Sequence, residues 1–231
     1  MGMKVSQWLL MAALAVVMHL SGWGQSLRFD LRMGEEALEL DAEKASGTNG
    51  GVTIESFRFY VSDVAFMAGE RVVHALPERY HLVDAEVPES WGMSLGAKGI
   101  PADCDGIRFA LGIDSLTNVS GALGGDLDPT KGMYWAWQSG YINMKMEGTS
   151  PVCPARNHRF QFHLGGYAGA YNALQEVRLP LQTGTKDIVI RVDIGQMLRE
   201  IDLSKEYEVM SPSMRAVELS RLAVGMFRVG L

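Results

Sequence analysis

Cysteine is scarce in this chain. There are two in 231 residues, Cys104 and Cys153, and no C-x-x-C pair that would announce a zinc or iron–sulfur site. The G-x-S-x-G elbow, the H-E-x-x-H pair and a glycine-rich loop between strand and helix are absent too. No nucleophile–base pair can be read from the residues, so a non-enzymatic protein is expected. Charge of positive sign is thin: 21 lysines and arginines stand against 27 acidic residues, a net of −6 with no basic stripe. That excludes a general nucleic-acid footprint. Beyond residue 24 no apolar run is long enough to cross a bilayer, so the protein is not expected to be membrane-embedded. Repeats, linkers and low-complexity tracts are also missing, which leaves one domain of ordinary size.

What is present begins with residues 1–24. Lys4 supplies a positive start, Trp8 to Leu20 is almost wholly apolar, and Gly22 and Gly24 are the small residues a signal peptidase reads. A cleaved secretory signal over 1–24 and a single domain over 25–231 are expected, in the periplasm or secreted. An exported chain meets an oxidising compartment, so Cys104 and Cys153 are expected to form one disulfide. The chain-entropy model values such a loop at about 4 kcal/mol.

Alternation of apolar and polar residues marks Leu27–Met33, Arg159–Leu164 and Asp187–Ile194 as half-buried strands. Val52–Met67 is rich in β-branched and aromatic residues and reads as two strands broken near Ser62-Asp63. Arg71–Val73, Arg79–Asp84, Ile107–Ile113 and Glu176–Leu181 add more strands. Ser211-Pro212 reads as a helix cap followed by proline, opening a helix to about Val224. The pattern predicts an all-β fold, an antiparallel β-sandwich with a short C-terminal helix.

The densest aromatic stretch is Gly125–Gly148. Turn formers lead into an alternating run from Met133 to Met146, in which Met133, Trp135 and Trp137 are predicted to share one strand face. Four histidines survive removal of the signal, and His81 and His163 lie on predicted strands. A lone strand histidine is more often structural than a ligand, but two from different strands can converge on a metal such as copper, which favours imidazole. The methionines are dispersed with no M-x-x-M cluster and read as core filler. Asp126 and Asp128 form a candidate calcium site, although acidic residues beside proline are ordinary turn formers.

These residues together resemble the MbnP-like family of exported copper-binding proteins. The resemblance rests on Phe57–Val64, Tyr80–Asp84 and Gly112–Ser115 followed by Asn118. It rests further on Gly125–Pro129 with Gly132–Tyr141, on Lys145–Gly148 and on Phe162–Tyr167. It implies a periplasmic β-sandwich with one copper ion, in which a tryptophan is oxidised to kynurenine by a MauG-like dihaem peroxidase. An indole N–H only donates, whereas the aryl amine of kynurenine carries a lone pair. The resemblance places His81 and His163 as imidazole ligands and Trp135 or Trp137 as the modified residue. Tyr134 and Tyr141 are candidates to relay oxidising equivalents to a buried indole, with plain packing as the alternative. A β-sandwich module that binds a protein or glycan without metal is the alternative.

Overall fold

The computed structural model describes residues 25–96, 99–137, 140–185 and 187–230. The expected signal segment lies outside them. In chain order the strands are β1 (Ser26–Met33), β2 (Glu36–Ala37), β3 (Glu43–Ala45), β4 (Gly51–Ala68), β5 (Arg71–Ala75), β6 (Tyr80–Asp84), β7 (Gly92–Ser94) and β8 (Gly106–Leu111). They continue as β9 (Tyr134–Trp135), β10 (Gly140–Thr149), β11 (Arg159–Gly165), β12 (Gln175–Pro180), β13 (Ile188–Asp193), β14 (Glu208–Val209) and β15 (Phe227–Val229). The α-helices among the described residues are α1 (Ser115–Val119), α2 (Ile194–Arg199) and α3 (Met214–Val224).

β4 is the spine of the larger sheet. Its 18 residues do not break near Ser62-Asp63. Asp63 takes a positive φ of 50° and the ladder with β8 shifts register there, so the strand kinks and carries on. One edge pairs with β10 over the first half and β8 over the second; the other meets β3, β6 and β5. β11 extends β10, β12 extends β8, and α3 packs against both β11 and β12. Ser213, not Ser211, caps α3: its side chain accepts from the Ala216 N–H.

The smaller sheet runs β15-β13-β1-β2, with β7 on β1. The expected purely antiparallel sandwich is corrected here. β1 pairs with β13 in parallel, and so does β11 with β14. Parallel partners need a long crossover, and nearly the whole chain lies between β1 and β13.

Alternate residues of the two sheets meet in one core. Phe57, Phe59 and Val61 of β4 face Leu27, Phe29 and Leu31 of β1 and Ile190 of β13, all buried. Phe29, Phe59, Phe109 and Phe227 form edge-to-face pairs with centroids 5.4 to 6.3 Å apart, each adding about 0.5–1.5 kcal/mol beyond burial.

The expected disulfide is absent. Cys104 and Cys153 are separate buried thiols, bonded to the Gly106 and Arg159 carbonyls. Cys104 sits by Asp105, whose N–H bonds Met67 at the end of β4; Cys153 sits by Ser150, which bonds Asn49 before its start. β4 holds them on the order of 40 Å apart, whereas a disulfide needs Cα atoms within about 7 Å.

Candidate metal centre

Among the described residues β6 is paired by strand only on its β4 side, and two loops close its other edge. Asp126 Oδ2 accepts the Leu82 N–H at 2.9 Å. Ser90, in the short turn Pro88–Trp91, accepts the Asp84 N–H on its Oγ, also at 2.9 Å. Trp91 fixes that turn by donating its indole N–H to the Asp84 carbonyl.

His81 projects into this closed edge and is buried. Its Nε2 lies 2.7 Å from the Ser90 carbonyl oxygen. A carbonyl only accepts, so Nε2 carries a hydrogen, and in the neutral ring Nδ1 keeps its lone pair. Nδ1 faces Asp126 Oδ2 at 3.6 Å, too far for a hydrogen bond. In the neutral ring two electron-rich atoms face each other, and a proton on Nδ1 or a cation between them makes that contact favourable. Glu78 completes the group: donor atoms of Glu78, His81 and Asp126 lie within 4.8 Å of one another.

Burial pushes the Asp126 carboxyl up, but hydrogen bonds from Lys131 and the Leu82 N–H outweigh it and hold the group below the usual range. A cleft of about 530 Å³ opens beside the group, and Arg58, His81, Asp126 and Lys131 are among its walls. The donor set fits a divalent copper ion: imidazole and carboxylate suit Cu(II), and a ligating histidine commonly donates its second N–H to a carbonyl.

His163 stands elsewhere. The register puts it in a row with Lys145, Arg58 and Asp84 across β11, β10, β4 and β6. His81 pairs with Val61, whose neighbour in the other parity is Tyr60, so the two histidines stem from opposite faces of the sheet. Three strand spacings, about 14 Å, also separate β6 from β11. The structure does not bring His81 and His163 together. His163 Nε2 bonds Glu147 Oε1 at 2.6 Å, and this bond, helped by Lys145 and outweighing burial, lowers the Glu147 carboxyl to about 2.

The aromatic stretch is a hairpin, not one strand. β9 folds onto β10 with Trp135 opposite Gly140. Trp135 is 5% exposed and Trp137, in the turn, is 67% exposed; their ring centroids lie 6.2 Å apart. The outer ring of Trp135 covers Gly165, where a Cβ would come within 2.9 Å of it. Gly165 and His163 share a face of β11, so Trp135 lies on the His163 side. The Trp135 indole Nε1 is buried without a hydrogen-bond partner among the described residues.

Asp128 is spent on its own turn, accepting from Thr130 N and Oγ1 at 2.8 and 2.7 Å. It is therefore not gathered with Asp126. Sequence reasoning missed Glu78, Ser90 and Glu147. The one signal for Glu78 was its place three residues before His81.

A family model described as MbnP matches residues 24–211. A solved structure, MbnP from Methylosinus trichosporium, has a TM-score of 0.58 and 17% identity; the match covers 84% of this chain and 86% of that one. Comparison with curated proteins gives no match.

Proposed function

Because the chain belongs to the MbnP family, we propose that it is an exported, non-enzymatic copper-binding protein whose ion sits at the closed edge of β6. His81 supplies nitrogen through Nδ1, and Asp126 and Glu78 supply oxygen. The observation that carries this reading is the placement of the His81 ring. Ser90 takes the Nε2 hydrogen, which turns Nδ1 toward a carboxylate at 3.6 Å, within reach of one shared ion. The set suits Cu(II) over Cu(I), which prefers sulfur, and copper outcompetes other first-row divalent ions at such sites. The bound ion supplies a fixed positive charge. The residues themselves orient it, neutralise part of the carboxylate charge through Lys131, and keep the cleft open.

Titration with Cu(II), followed by calorimetry and electron paramagnetic resonance, tests this. One ion per chain with a single imidazole nitrogen is expected. His81→Ala abolishes uptake and His163→Ala leaves it intact. Uptake that survives His81→Ala would overturn the reading.

A second reading rests on a different observation, the buried Trp135 N–H beside the His163 strand, unpartnered among the described residues. Here Trp135 is the residue that a MauG-like dihaem peroxidase converts to kynurenine, giving an aryl amine on the His163 side. Peptide mapping after co-expression would find Trp135 with one carbon lost and one oxygen gained, and copper uptake lost in His163→Ala. An unmodified Trp135 would remove this reading.

A further inference from the structure

Trp135 and Trp137 differ sharply in access yet touch. One indole is 5% exposed and the other 67%, with centroids 6.2 Å apart. Trp135 lies inside a cluster that also holds Met133, Tyr141 and Leu127, so a bulky oxidant in solution cannot meet its ring. It can meet Trp137. We propose that Trp137 is the electron-transfer residue through which a one-electron outer-sphere oxidant, such as a high-valent metal complex or haem, oxidises Trp135. The proposal rests on the reading of Trp135 as a residue that becomes oxidised.

The step balances without bond making. The oxidant gains one electron and Trp137 becomes a radical cation. Trp137 then takes one electron from Trp135, returns to its starting state, and leaves the radical cation on Trp135. Among the described residues the Trp135 N–H has no acceptor, so no proton transfer accompanies the electron step. The radical cation on Trp135 is therefore formed with its N–H intact.

The neighbouring tyrosines do not drain it. Tyr134 and Tyr141 are 5.0 Å apart by centroid, and Tyr141 and Tyr60 are 6.0 Å apart, so an aromatic path inward exists. A phenol, however, must release its proton to hold an oxidised state. Tyr60 donates to the Asp126 carbonyl, and Tyr141 to the Leu127 and Gly121 carbonyls; none of these takes up a proton. Burial raises both phenols further. The inward path is thus blocked at the Tyr141 and Tyr60 hydroxyls, and the two indoles form the working pair.

The test uses the full, copper-free chain and flash-generated tris(bipyridine)ruthenium(III), with transient absorption and peptide mapping of oxidised tryptophan. In the wild type, an indole radical cation forms and Trp135 carries most of the oxidation product. Trp137→Phe lowers oxidation of Trp135 at least ten-fold, and Trp137→Tyr, whose exposed phenol can lose its proton to water, restores part of it. Trp135→Phe leaves the oxidation on Trp137. Equal oxidation of Trp135 in wild type and Trp137→Phe overturns the proposal, as does a neutral indole radical at Trp135. Because neither copper nor a peroxidase takes part, failure here leaves the metal reading standing, and failure of that reading leaves this result unchanged.

Discussion

Two apolar regions lie on opposite faces of the ten-stranded sheet, and β4 contributes to both. Inward, Phe57, Phe59 and Val61 join a core of Phe, Leu, Ile, Val and Met from both sheets. Outward, Tyr60 joins Leu82, Ile113, Leu127, Met133, Trp135, Tyr141 and Ile142 under the loop from residue 113 to 137. The inner core asks only for volume and dryness. The outer cluster carries hydroxyl and indole tips, and the same loop brings Asp126 to the edge of β6. Burial therefore serves two ends: hydrocarbon packing sets the sheets, and amphipathic packing sets the loop that completes the centre.

The largest effect should come from the inner region. Phe59→Ala removes a fully buried ring that meets Phe29 and Phe227 edge-to-face, at a cost of about 3–5 kcal/mol in denaturant unfolding. Copper affinity in the protein that remains folded should hold. A variant that loses both equally would erase the distinction between the two regions.

Next in size is an acid-dependent term on the outer face. The Glu147 carboxyl falls from 4.5 to about 2 through its bond to His163, with Lys145 adding to it. A depressed carboxyl stabilises the fold above its unfolded value and loses that contribution as pH drops through the folded one. The window thus runs from 4.5 down to about 2 and is worth on the order of 3 kcal/mol. Glu147→Gln should flatten unfolding free energy against pH over that window. A slope equal to that of the wild type would show that the bond is not formed in solution.

These two regions were unequally legible in the sequence. Period-two alternation disclosed β1, β11 and β13 because each has one buried face. It split β4 at Asp63, where a kink absorbs the irregular residue without ending the ladder. It also ran β9 and β10 together, since a hairpin whose strands both carry aromatics keeps the same alternation through the turn. His81 was readable as a candidate, but its partners come from a turn nine residues on and a loop 45 residues on, positions that only the closed edge of β6 brings together. The cysteine pairing was inferred from compartment alone, and β4 keeps the two thiols at opposite ends. Parallel pairing of β1 with β13 left no mark, because a buried strand reads alike in either direction.

Third comes the metal edge itself. Asp126→Asn keeps the size of the side chain and the acceptor for the Leu82 N–H while removing the charge that faces His81. Copper affinity should fall by about 10–100-fold, with the inner core unaffected in near-ultraviolet circular dichroism. Unchanged affinity would place the ion elsewhere.

The smallest effect separates Asp126 from its neighbour two residues on. Both carboxylates sit in one loop, and the sequence offered them as a pair. Asp128, however, points back at Thr130 and serves its own turn, whereas Asp126 reaches across to β6. Asp128→Ala should lower Tm by no more than about 2 °C and leave both copper affinity and chelator response as they are. A melting temperature that rises with calcium in the wild type but not in Asp128→Ala would instead restore the two carboxylates to one hard-cation site, and the outer cluster would then hold its loop in place through that ion.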